Sequence, residues 1–192
     1  MLRRSKRALC GAAIAFSLLA SPAYSAQQKA ASSSEASYST LAPGQYIWSP
    51  ENSPTGNVEI VVSLPLQVAY VYRGGTIIGV TTISSGKPGK ETPTGSFEIL
   101  QKRKEHYSNR YDNAPMPFMQ RLTWDGIALH AGKIPGTPAS QGCVRLPMKF
   151  AKLLFDETKL GASVHIVDAA ASPDDAVAFL RDRPSVQLAS GG

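Results

Sequence analysis

Two β-branched runs joined by a pair of glycines constrain this chain most. Residues 67–72 and 76–84 (Thr-Ile-Ile-Gly-Val-Thr-Thr-Ile-Ser) flank Arg73-Gly74-Gly75. Branched side chains suit a pleated, half-buried surface, and Gly-Gly supplies the positive φ angles of a tight hairpin turn. Residues 58–64 (Val-Glu-Ile-Val-Val-Ser-Leu) form a third run of the same kind. Three such runs in succession predict strands, not a helical domain.

The remaining pattern extends this reading. Strands are expected at 96–102, 118–124, 126–130 and 163–167. A loop falls at 85–90 and a turn at Thr92-Pro93-Thr94-Gly95, where Gly95 can take a positive φ. Residues 102–117 are polar, basic and proline-containing, which reads as a long excursion, either substrate-facing or simply solvated. The best helix is 147–158, which would place Cys143 just before it. Pro147 suits its first position, Phe150, Leu153, Leu154 and Glu157 follow helical spacing, and Gly161 ends it. Ser172-Pro173-Asp174-Asp175 starts a second, shorter one, with acids at the positive end of the helix dipole. The expected fold is mainly β and sandwich-like, with one or two packed helices.

The N-terminus reads as an export leader. Arg3, Arg4, Lys6 and Arg7 precede an uncharged apolar run at 8–20, and Ala23-Tyr24-Ser25 fits a small-x-small cleavage site. The run, at about thirteen residues, is short for a membrane span, so none is expected after cleavage. The chain has 20 Lys and Arg against 14 Asp and Glu; removing the leader's four basic residues leaves 16 against 14. The basic excess therefore belongs mostly to the leader and is no nucleic-acid footprint. The expected organisation is a signal peptide at 1–25, a flexible Ala/Ser/Gln-rich linker and lead-in at 26–56, a catalytic domain at 57–168, and a C-terminal helix and tail at 169–192.

Of two cysteines, Cys10 lies in the leader, so Cys143 is alone in the mature chain. Lone thiols in exported proteins are kept for reactivity or for intermolecular bridges. His130 lies thirteen residues upstream, at an expected strand end, and the Gly- and Pro-rich stretch between them can fold back. A neighbouring imidazole can take the thiol proton, and backbone N–H groups can stabilise an oxyanion. Gly142 lets the backbone bend closely around a substrate, which makes the N–H groups of Gly142 and Cys143 candidate oxyanion donors. Spacing alone leaves open a structural histidine beside a buried cysteine. Three histidines with no close pair predict no metal site, and no phosphate loop or other cofactor motif is present. His106 reads as a solvated loop residue and His165 as a structural one.

The pattern His130-x-Gly132 followed by Ser140-x-Gly142-Cys143-Val144-Arg145 resembles the signature of the L,D-transpeptidase catalytic domain family (YkuD-type). Thr92-Pro93-Thr94-Gly95-Ser96-Phe97, Pro115-Met116-Pro117-Phe118 and Asp125-Gly126-Ile127-Ala128-Leu129-His130 are similar to further family segments, so the resemblance spans about residues 57–168. It implies a β-sandwich-like catalytic domain in the cell envelope, in a periplasm if the cell is diderm. The implied substrate is the peptide stem of peptidoglycan. Cys143 would attack the bond between the L-centre of a diamino acid and D-alanine, forming a thioester. An amine on a second stem or on an envelope protein would then resolve it, or water would, giving a carboxypeptidase. The resemblance makes His130 the general acid/base, with the Ala131 carbonyl orienting its ring and Ser140 supporting the loop. Arg145 would contact a substrate carboxylate or brace the loop, and an ordinary salt bridge remains open for it. The family usually has histidine where this chain has Gln141. Glutamine keeps the backbone N–H and can donate a hydrogen bond, but it cannot be protonated. Two other readings stand beside this one. A sortase-like transpeptidase also orders His, Cys, Arg, but spaces them more widely. A wall-binding domain without catalysis has Gln141 as its sequence support.

Overall fold

The structure, a computed structural model, describes residues 41–111 and 113–182. The expected leader, residues 26–40 of the expected linker and the tail from 183 lie outside the described residues. In chain order the strands are β1 (Tyr46–Trp48), β2 (Val58–Ser63), β3 (Val68–Arg73), β4 (Thr76–Thr82), β5 (Gly95–Glu98), β6 (Gln101–Arg103), β7 (Met119–Arg121), β8 (Ala128–Ala131), β9 (Val144–Leu146) and β10 (Ser163–Val167). The helices are α1 (Met148–Glu157) and α2 (Pro173–Asp182). Six strands form one sheet in the order β1-β4-β3-β2-β10-β5, and four form a second in the order β6-β7-β8-β9. The domain is mainly β, as the strand pattern predicts.

The β2–β3–β4 meander is antiparallel, and its second turn carries Gly74 and Gly75 at φ 57° and 80°, which only glycine takes readily. Its alternation serves two cores. Ile60, Val62, Ala69 and Val71 face inward and pack with Leu129, Val144 and Leu146 of the second sheet and with Phe150, Ala151 and Leu154 of α1. Val61, Tyr70, Tyr72 and Val80 face outward and pack with Ala176 of α2. A sheet buried on both faces needs near-continuous apolar strands, and this is why β2 and β3 alternate only partly in sequence. Each fully buried aliphatic side chain contributes roughly 1.5–3 kcal/mol. The register jumps between Val71↔Gly79 and Tyr72↔Ile77, leaving Ile78 as an extra residue that turns into the inner core. At Gly79 a Cβ would lie 2.6 Å from the Trp48 ring, so β1 seats its tryptophan on bare backbone.

The sequence expectations need four adjustments. The lead-in, expected to be ordered from about Pro43, holds β1 and a 3-10 turn at Pro50–Asn52 that the sequence pattern does not mark. The strand expected at 96–102 is two strands: β5 pairs with β10, β6 pairs with β7, and the chain changes sheets at Ile99-Leu100. Pro147 caps α1 from outside, with ψ 140°, and does not occupy the first helical position. Cys143 does not abut that helix, because β9 intervenes.

Helix ends are satisfied by side chains. Lys102 Nζ donates to the carbonyls of Phe155 and Thr158 at 2.6 and 2.5 Å, placing a cation at the negative end of α1. At α2, Ser172 Oγ accepts the Asp175 N–H at 3.2 Å while Asp175 Oδ2 accepts the Ser172 N–H at 2.9 Å, a reciprocal cap. Among the described residues, no helix is long and apolar enough to cross a membrane.

Candidate active site

The second sheet sets the side chains side by side. β8 and β9 run parallel with Leu129↔Val144, His130↔Arg145 and Ala131↔Leu146 as partners. Alternation sends Leu129, Ala131, Val144 and Leu146 into the core. It leaves His130 and Arg145 on the opposite face, with Cys143 two residues before Arg145. All three line one cavity of about 560 Å³. The excursion between β6 and β7 folds on itself through a Tyr107–Pro115 bridge and walls this cavity with residues from His106 to Pro117. It faces the site and is not merely solvated. His106, expected as a solvated residue, lines the cavity and is half-buried.

His130 is only 8% exposed, and its Nδ1 lies 2.8 Å from the Ala131 carbonyl. A carbonyl only accepts, so Nδ1 carries the hydrogen and Nε2 is left as the basic nitrogen. Burial pushes the imidazole pKa down to about 4, against the Ala131 bond, and the charges of Arg145 and His106 add to the lowering. Cys143 packs against Met116, Met119 and Ala128, and its thiol donates to the Gly126 carbonyl at 3.4 Å. Burial pushes this thiol up from its ordinary value, opposed by a backbone bond from Ala128 and by Arg145 and Arg121. Both partners are therefore neutral at rest.

The turn that carries Cys143 is fastened by hydroxyls. Ser140, almost fully buried, donates through Oγ to the Cys143 carbonyl at 2.5 Å and accepts the Gly142 N–H at 3.0 Å. This corrects the expected oxyanion donors: the Gly142 N–H is occupied by Ser140. The Cys143 N–H has no acceptor among the described residues and remains the open donor. Gly142 is still required, because its φ of 114° is unfavourable for any other residue and a Cβ would sit 3.1 Å from Ile127. Thr92, which the sequence reading placed only in a turn, is buried and bridges two loops. Its Oγ1 accepts the Gly86 N–H and donates to the Gly142 carbonyl, both at 2.8 Å. The continuation of β4 supports the same turn: Ser84 and Arg145 form an antiparallel bridge, and the Ser85 carbonyl accepts the N–H groups of Ala139 and Ser140.

Arg145 runs its stem across Gly132, where a Cβ would come within 2.9 Å of it. Among the described residues its guanidinium makes no ion pair and no side-chain hydrogen bond, so the salt-bridge reading has no support there. Gln141 lines the cavity and its side chain is likewise unbonded among the described residues. His165 is buried in the six-stranded sheet with Nδ1 2.9 Å from Ser96 Oγ, and does not line the cavity that holds the thiol. No cluster of metal-ligating side chains occurs among the described residues.

A family model for the L,D-transpeptidase catalytic domain (YkuD) matches residues 57–166, more than half of the chain. L,D-transpeptidase 1 of Mycobacterium tuberculosis H37Rv is 28% identical, over 61% of this chain and 53% of that protein. The chain thus spans about half the length of the curated relatives it matches. An L,D-transpeptidase crystal structure from Stackebrandtia nassauensis superposes with a TM-score of 0.54 at 27% identity, covering 58% of this chain and 55% of that one. A transpeptidase solved in complex with imipenem gives a TM-score of 0.53 at 25% identity, covering 57% and 58%.

Proposed function

The chain belongs to the L,D-transpeptidase catalytic domain family, and from that premise we propose that it is an exported acyltransferase acting on peptidoglycan stems through a thioester on Cys143. One observation carries the proposal. Strand β8 and the turn that enters its parallel neighbour β9 deliver a buried neutral imidazole, with Nδ1 committed to a carbonyl, and a thiol into the same cavity.

The chemistry follows from that pair. His130 Nε2 takes the thiol proton as Cys143 Sγ attacks the carbonyl of the diamino acid–D-alanine bond. The pair becomes ionic only as the bond forms, so the charge develops where Arg145 and Arg121 already favour a thiolate. The Cys143 N–H meets the oxyanion. On collapse His130 protonates the departing amine, D-alanine leaves, and the thioester remains. An acceptor amine then gives its proton to His130, attacks the thioester, and expels the Cys143 sulfur, which recovers that proton. Acceptors with a free amine, on a second stem or an envelope protein, complete transfer. Water in that place gives hydrolysis. Gln141 cannot join this proton traffic, so the whole of it rests on His130. The leader motif at the N-terminus supports an envelope, periplasmic location.

Intact-protein mass spectrometry of the protein mixed with a tetrapeptide stem tests the reading, with Cys143→Ala alongside. The expected adduct is the stem minus D-alanine, present only with Cys143, and imipenem should label the same residue. A folded wild-type protein that acquires neither adduct would return the chain to a non-catalytic role.

A further inference from the structure

The cavity around Cys143 carries four cationic side chains, Arg110, Arg121, Lys133 and Arg145, and no described carboxylate lines it. The ion pairs among the described residues, Arg73–Glu157 and Lys152–Asp156, both involve α1 and lie outside this wall. Uncompensated charge in a cleft is costly unless a ligand brings the opposite sign, and it discriminates strongly between ligands.

Register places these cations. Arg121 pairs with Ala128 across β7 and β8, and Arg145 pairs with His130 across β8 and β9. Paired residues share a face, and so do residues two apart in a strand. Arg121, His130 and Arg145 therefore stand on one face, with the two arginines on either side of the histidine strand. Two strand spacings and a two-residue offset along β8, roughly 12 Å in all, separate their backbones. Arg121 is held by Nε, which donates to Gln101 Oε1 at 3.2 Å, and its guanidinium lies 6.0 Å from the Trp124 ring centroid, leaving its two terminal nitrogens without a hydrogen-bond acceptor among the described residues. Arg110 reaches in from the excursion. One terminal nitrogen donates to the Asp125 carbonyl, and the guanidinium lies over Gly126, 3.5 Å from where a Cβ would be. Gly126 is the residue whose carbonyl holds the Cys143 thiol. Both forks are anchored, one by a side-chain amide and one by backbone, in the wall of the cavity that holds the reacting sulfur.

We propose that Arg110 and Arg121 form a carboxylate subsite, separate from Arg145, that reads an internal carboxylate of the donor stem and so makes the enzyme selective for acidic over amidated stems. The inference rests on the acyl-transfer reading above. Planar guanidinium forks match carboxylates in two-point contact, and a carboxamide loses both the charge and one acceptor.

The test uses two tetrapeptide donors that differ only in one internal carboxylate, free or converted to carboxamide. The rate of Cys143 adduct formation is followed by intact mass. The wild-type protein should prefer the carboxylate donor by about tenfold or more in kcat/KM, mostly through KM. Arg121→Gln and Arg110→Gln should each bring that ratio towards one. Arg121 also favours the thiolate, but that effect acts equally on both donors and leaves the ratio unmoved. Should a variant fail to fold, the wild-type ratio measured against ionic strength replaces it: the preference should shrink as salt rises. Equal rates for the two donors in the wild-type protein overturn the subsite while leaving the acyl-transfer reading intact. Absence of any adduct from either donor overturns the acyl-transfer reading, and the subsite falls with it.

Discussion

Replacing His130 by glutamine isolates the energetic cost of the buried imidazole. Glutamine can still donate to the Ala131 carbonyl but does not titrate. The folded imidazole has its pKa lowered from 6.5 to about 4. As pH falls through 6.5 the unfolded chain takes up a proton at this residue, while the folded chain refuses it until about 4. The unfolded state then binds more protons, so stability falls with pH across that window and is unaffected above it. A shift from 6.5 to about 4 corresponds to roughly 3 kcal/mol once the window is crossed, and to roughly 2 kcal/mol at pH 5. Urea denaturation of both proteins at pH 7 and pH 5 measures this directly. Wild type should lose roughly 2 kcal/mol more than His130→Gln over that interval. Carboxylates such as Asp156 and Asp175, whose pKa values are lowered, titrate further down and are common to both proteins. The acid limb of wild-type kcat/KM should also lie well below the ordinary histidine range. Parallel stability curves for the two proteins would mean that burial does not lower the His130 pKa, and the low-lying acid limb expected of kcat/KM would fall with it.

Two further substitutions probe the supports of the site. Thr92→Val keeps the shape but leaves the Gly86 N–H and the Gly142 carbonyl without their partner, so it should cost about 2 kcal/mol in denaturant unfolding and slow acylation of Cys143; an unchanged midpoint would remove Thr92 from the scaffold. Gly132→Ala places a methyl within 2.9 Å of the Arg145 stem and 3.2 Å of its Cβ, so the stem and the adjoining backbone must shift; the expected result is a raised KM for the stem with a lowered melting temperature, and an unchanged KM would show that Arg145 does not contact substrate.

The parts of this fold legible in the sequence were those with local causes. The Gly74-Gly75 turn and the branched runs around it specify their own hairpin. The cap at Ser172 and Asp175 is written in four consecutive residues. The change of sheet at Ile99-Leu100 was not legible, because nothing between 96 and 102 breaks a strand; the partners that divide it, β10 and β7, lie elsewhere in the chain. β9 is three residues long and exists because β8 and Ser84 flank it. The placing of His130 and Cys143 in one cavity was suggested by their foldable spacer, and the parallel register supplies the reason. The Gly142–Ser140 bond has a local signal, since a serine two residues before an N–H forms a side-chain turn, and Ser140 makes it. Arg110 and Arg121 carried no local signal, since only the folded excursion and the sheet register bring them beside the sulfur.

The fastening of the Cys143 turn has a kinetic consequence. Thr92 reaches Gly142 across 50 residues of sequence, and Ser84 reaches Thr137 across 53. Such closures form late, because loop entropy must be overcome before distant contacts reward it. A partly folded chain therefore carries the thiol without the geometry that makes it a nucleophile. Competence at this site marks completion of the domain, and acylation of Cys143 can serve as a clock for the last step of its folding.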